Sequence, residues 1–98
     1  MAIVVASDLS PRSVAPLARG VQLARDLRQS LHVVHVFDGD LPQVAHAAIV
    51  EGATQILRRE SGKLRFEPKI EIMPGSARTG VVRYALDVSA KMIVVGRH

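Results

Sequence analysis

The stretch AIVVASDLSPRS, residues 2–13, sets the reading of the whole chain. Residues 2–7 are a short apolar run rich in β-branched side chains, and the DLSPRS that follows is turn-forming. An apolar run of this length is the pattern of a strand covered on both faces, as in a parallel sheet. A helical stripe comes next, because Val14, Leu17, Ala18, Val21, Ala24 and Leu27 recur on one helix face. With Ser13 as N-cap, Pro16 falls at the third helical position, where its missing N–H removes no intrahelical bond. A start at Ser10 would carry the proline deeper and strain the helix.

The same alternation continues to the end. LHVVHVF, residues 31–37, reads as a second strand, closed by DGDLP with Asp40 as a candidate cap. Ala45, Ala48, Ile49, Ile56 and Leu57 have helical spacing within residues 43–61, and Gly62 is the expected stop. Pro68 interrupts the next alternating segment, which leaves a strand over Lys69 to Met73 at a sheet edge. After the PGS turn, Ser76 is positioned to cap a helix with Val81, Val82, Ala85 and Val88 on its apolar face, and MIVVG, residues 92–96, is the last strand. The order β-α-β-α-β-α-β predicts a doubly wound α/β domain over residues 1–98: one parallel sheet, helices on both faces, right-handed crossovers.

Composition narrows the function classes. The chain has 98 residues, 48% of them hydrophobic, and its only aromatics are Phe37, Phe66 and Tyr84, so the core must be aliphatic. The absence of cysteine excludes disulfides, thiolate metal sites and a thiol nucleophile. The opening MAIVVAS lacks the basic segment and longer apolar stretch of a signal peptide. No run approaches the roughly 18 apolar residues of a membrane span, so a soluble, cytoplasmic protein is expected. The net charge is +4, and all of the excess lies in the second half: residues 1–50 hold four Arg and four acids, residues 51–98 nine Lys or Arg and five acids. These charges are scattered without aromatic interleaving, which reads as solvated surface and argues against nucleic acid as partner.

In a doubly wound sheet, ligands sit beyond the carboxyl ends of the strands, where strand order reverses. Asp8 closes the first strand, so its carboxylate either accepts hydrogen bonds from a ligand or caps the following turn. Gly96 closes the last, either to admit close approach of a ligand or simply to end a strand. GSARTG, residues 75–80, has the glycine spacing of a Walker A loop, but Val81 and Val82 stand where Lys and Ser/Thr are needed. That leaves a helix N-terminus with Arg78 beside it, either a solvated cap or an anion contact. His32 and His35, three apart on a strand, point to opposite faces and cannot share an ion. His46 reads as a surface residue, and Asp38 and Asp40 as turn formers. No nucleophile, base and orienting group converge, so no catalytic residue is assigned.

Taken together, IVVASDLSPRSVAPLARGVQLA, then LHVVHVFD, then PGSARTGVVRYALDVSAKMIVVGRH resemble the universal stress protein family along essentially the whole chain. The resemblance lies in an ordered set: an aspartate and spaced serines after the first strand, HV late in the second, a glycine before the last helix, and IVVGRH at the end. It implies a Rossmann-like domain of the adenine nucleotide alpha hydrolase type, generally dimeric, whose nucleotide-binding members hold ATP at the sheet crevice. In such members a G-x2-G-x9-G-[S/T] loop cradles the phosphates with backbone amides. Gly96 matches its first glycine, with Arg97 and His98 as the spacers; the second glycine would be the next residue, and the rest of the loop and a fifth strand lie beyond the sequence.

Ala6, Ser7 and Asp8 match the strand end that contacts adenosine, and Val36 a position near adenine. Lys91 and Pro16 depart from the family pattern, at positions expected to affect packing. The resemblance therefore implies an ATP-binding regulatory or adaptor module of the stress response, with any hydrolysis slow and incidental. The alternative is a nucleotide-independent module that dimerises through the apolar edge at Met92 to Val95.

Overall fold

The computed structural model describes residues 1–96. Strands β1 (Ala2–Ala6), β2 (Ser30–Phe37), β3 (Lys69–Pro74) and β4 (Ala90–Val94) alternate with helices α1 (Val14–Leu27), α2 (Gln43–Lys63) and α3 (Ala77–Asp87). All strand pairs are parallel, in the order β3-β2-β1-β4. From β1 the chain builds outward through β2 to β3, then returns to place β4 on the other side of β1. Strand order thus reverses between β1 and β4, the point at which crevices open in such sheets.

Burial on both faces explains the apolar run that opens the chain. Ile3 and Val5 pack on one side with Leu17 and Val21 of α1, Leu31 and Val33 of β2 and Leu57 of α2. Val4 turns to the other side, with Val34, Val81 and Ala85. Each fully buried side chain of this size stabilises the fold by about 1.5–3 kcal/mol. Helices α1 and α2 therefore cover one face and α3 the other, as the sequence pattern predicts.

Several local expectations need correction. Ser13 is the N-cap residue of α1 as expected, but its side chain makes no capping bond, and Ser10 caps a 3-10 turn over Pro11–Ser13 just before it. Pro16 does occupy the third helical position, but Val14 and Leu27 are exposed because Pro16 and Gly20 take the inward stripe. Asp40 does not cap α2; Pro42 holds that position, and the Asp40 amide donates to Asp38 Oδ1 at 2.9 Å within the preceding turn. Gly62 does not stop α2, which runs on to Lys63. The chain turns at Arg65, with φ of 54°, where Arg25 Nη2 donates to the carbonyls of Leu64 and Arg65 at 2.7 and 2.9 Å. Ser76 stands at the N-cap of α3 with no side-chain bond. Strand β4 begins earlier than expected, at Ala90, with a register irregularity opposite Ala2 and Ile3, and ends at Val94.

Candidate functional site

A cleft of about 700 Å³ opens at the carboxyl ends of β1, β2 and β4. Ala6, Ser7 and Asp8 enter it from β1, Val34, His35 and Val36 from β2, and Ile93, Val95 and Gly96 from β4 and its exit. Arg12 and Ser13 contribute from the turn before α1, and Ala77, Arg78, Val81 and Val82 from the first two turns of α3. Five of the residues singled out in the sequence therefore line one space: Ala6, Ser7, Asp8, Val36 and Gly96. Arg97 and His98 lie outside the described residues.

The β1 exit is held by short local bonds. Ser7 N donates to the Val34 carbonyl at 2.9 Å, and the Leu9 amide donates to Ser7 Oγ at 3.1 Å. Leu9 has φ of 64°, a left-handed conformation unfavourable for a branched side chain, which this bond helps to hold. Asp8 Oδ1 then accepts from both the amide and the hydroxyl of Ser10, at 2.9 and 2.6 Å. The turn-capping role weighed for Asp8 is thus present, and it fixes the carboxylate at the mouth of the cleft.

Gly96 has a packing reason of its own. A Cβ there would meet Pro16 Cγ at 3.2 Å and the Arg12 carbonyl at 3.8 Å, so the β4 exit lies directly on the start of α1. Asp8 and Gly96 consequently close neighbouring strands on the same rim, since β1 and β4 pair.

The two histidines of β2 separate as strand geometry requires. His35 Nδ1 is 2.8 Å from the Ser7 carbonyl, and since a carbonyl only accepts, Nδ1 carries the proton. His32 is 6% exposed and points to the opposite face, with Nδ1 at 2.7 Å from the Tyr84 hydroxyl. Burial, and secondarily the charge of Lys69, lowers the His32 pKa from its ordinary value; burial, and secondarily Glu71, raises that of Tyr84. His46 is half-buried, its Nε2 donating to the Leu41 carbonyl at 2.9 Å. Among the described residues no cluster of His, Asp and Glu could hold a metal ion.

The sequence reading passed over Arg12 and gave His35 no part in the crevice. A cue for Arg12 was available: it lies four residues past Asp8, in the same turn at the strand mouth. The GSARTG segment divides between two surfaces, with Arg78 facing the cleft and Ser76 and Thr79 a shallow groove of about 240 Å³ beside β3.

A parallel sheet of order 3-2-1-4 with an open crevice at its reversal point defines a doubly wound α/β protein of the nucleotide-fold type. The family model described as "Universal stress protein family" matches residues 1–98, and the chain belongs to that family. Solved structures agree. A universal stress family protein from Burkholderia pseudomallei is similar at 23% identity and a TM-score of 0.81, over 99% of this chain and 81% of that one. A Mycobacterium tuberculosis H37Rv protein is similar at 25% identity and a TM-score of 0.68, over 99% and 71%. A universal stress protein in complex with cAMP is similar at 24% identity and a TM-score of 0.73, over 97% and 75%. No curated protein sequence matches the chain. Among the described residues no helix is long and apolar enough to cross a membrane.

Proposed function

We propose that the chain is a nucleotide-binding regulatory or adaptor module that takes an adenine nucleotide, ATP in the first instance, in the cleft between the exits of β1 and β4. The observation that carries this reading is the convergence of Asp8, Val36 and Gly96 on one crevice at the point of strand reversal. An apolar wall of Val34, Val36 and Val81 suits the face of a base, and Asp8 offers acceptors for ribose hydroxyls or the adenine amine. The similar fold crystallised with cAMP supports an adenine ligand. Ala6 and Ser7 would line the adenosine end and Gly96 the phosphate end.

Calorimetric titration of ATP and adenosine tests the reading, with a Kd below about 1 mM expected for ATP. Asp8→Asn retains the oxygen that accepts from Ser10 while removing the charge, and is expected to weaken adenosine binding about tenfold, the difference between charged and neutral acceptors. Absence of binding by both ligands would overturn the proposal.

A second reading, a nucleotide-independent module that dimerises, rests on the outer position of β4 in the described sheet and on the exposure of Ile93 within it and Val95 just after it. An unpaired strand edge is a template for another chain. Light scattering separates the readings: a monomer at high concentration excludes the second.

A further inference from the structure

We infer that the phosphate of the cleft's ligand is held by two arginine side chains, Arg12 and Arg78, which both line the cleft. The inference rests on the nucleotide-binding reading and adds the polarity with which a nucleotide lies in the cleft. Arg12 belongs to the turn between β1 and α1, and its carbonyl lies beside Gly96 at the β4 exit. Arg78 is the second residue of α3, which covers the other face of the sheet. Both line the one cleft although they come from opposite layers of the fold.

Charge and position then assign the two ends of the ligand. Among the described residues neither guanidinium makes an ion pair or hydrogen bond, and both residues are exposed, so their long arms can close on an anion at the rim. Asp8, fixed by Ser10, repels a phosphate and attracts hydroxyl donors. A ligand carrying both groups therefore lies with its sugar toward Asp8 and its phosphate toward the arginines. Arg78 also stands in the first turn of α3, where the helix dipole favours an anion, and the Ser76 side chain makes no capping bond there. Guanidinium matches phosphate oxygens in a bidentate fork, which a lysine at either position would not reproduce.

The test compares adenosine, AMP and inorganic phosphate by calorimetry on the full chain, on Arg12→Gln, on Arg78→Gln and on the double variant. Wild type is expected to bind AMP at least about tenfold more tightly than adenosine at low ionic strength, with the advantage shrinking as salt is added. Each single variant should reduce the AMP-to-adenosine ratio, and the double variant should bring it near one while adenosine affinity and the urea unfolding midpoint stay unchanged. Inorganic phosphate should compete with AMP and leave adenosine in place. If adenosine binds but the ratio is unmoved in the double variant, the arginine assignment is wrong and the nucleotide reading stands. If neither adenosine nor AMP binds wild type, both fall.

Discussion

His35 Nδ1 donates to the main-chain oxygen of Ser7 across 2.8 Å, tying the end of β2 to the exit of β1. Ser7 is 7% exposed, so its carbonyl is not free to exchange this partner for bulk water. The bond stands immediately before the left-handed Leu9 and the Asp8–Ser10 turn, and so braces the part of the cleft with the least regular backbone. His35→Ala is expected to cost about 1–2 kcal/mol in urea unfolding, the range for losing a bond to a buried acceptor. It should also speed amide exchange at Leu9 and Ser10. Unchanged exchange at those amides would show that the turn holds itself.

Gly20 lets α1 lie close against the sheet. A Cβ at this position would collide with Val5 Cγ2 and would lie 3.4 Å from Leu31 Cδ1. Val5 is fully buried and β-branched, so its side chain has little freedom to turn away. Gly20→Ala gains about 1 kcal/mol of helix propensity but overpacks a close-packed interface at about 1–3 kcal/mol, so net destabilisation is expected. The second variant Val5→Ala removes the colliding methyls. The double variant should therefore be more stable than the sum of the single effects allows, by about 1 kcal/mol or more.

The pH dependence follows from the pair on the opposite face. The folded state holds His32 below its ordinary pKa of 6.5, chiefly by burial and then by Lys69. As pH falls through that value the unfolded chain takes up a proton that the folded chain resists, so stability declines on the acid side until the folded group also protonates. Tyr84 has the converse sign: its pKa is raised above 10.0 by burial and then by Glu71, so the unfolded phenol ionises first and stability declines above that pH. Urea midpoints measured from about pH 7 to 5 should fall in wild type and flatten in His32→Gln. An equal slope in the variant would assign the acid transition to other groups.

Much of this architecture was legible because its elements obey one physical rule each. Val4 and Val5 point to opposite faces and both are buried, so the unbroken apolar run of β1 could only be a strand covered on two sides. Four strands and three crossovers left the strand order open, and it is the return of β4 to the other side of β1 that brings Asp8 and Gly96 to one rim. What the pattern could not reveal depends on distances between elements. Gly20 reads in sequence as a weak point in a helix, and only the closeness of Val5 makes it an inward contact. Val82 has the spacing of a core residue yet is 49% exposed, because the α3 position it occupies opens onto the cleft mouth. The helix limits at Asp40 and Gly62 failed for another reason: Pro42 and the Arg25 bonds to Leu64 and Arg65 supply those ends.

Ser61 offers a test of the core that works in the stabilising direction. It sits on the inward face of α2, 1% exposed, and its Oγ is buried without a hydrogen-bond partner. Its main chain is engaged, the carbonyl accepting from the Leu64 and Phe66 amides at 3.0 and 3.2 Å, so a side-chain substitution leaves those bonds intact. A buried hydroxyl with no partner costs about 1–3 kcal/mol of desolvation. Ala also exceeds Ser in helix propensity by up to about 0.5 kcal/mol. Ser61→Ala is therefore expected to raise the unfolding free energy by about 1–2 kcal/mol, whereas Leu57→Ala, one turn earlier on the same face and fully buried, should lower it by about 2–5 kcal/mol. Paired urea curves check both signs. A Ser61→Ala variant less stable than wild type would mean that the hydroxyl does find a partner, a water or a carbonyl of its own helix, and that the inner face of α2 is less dry than its packing implies.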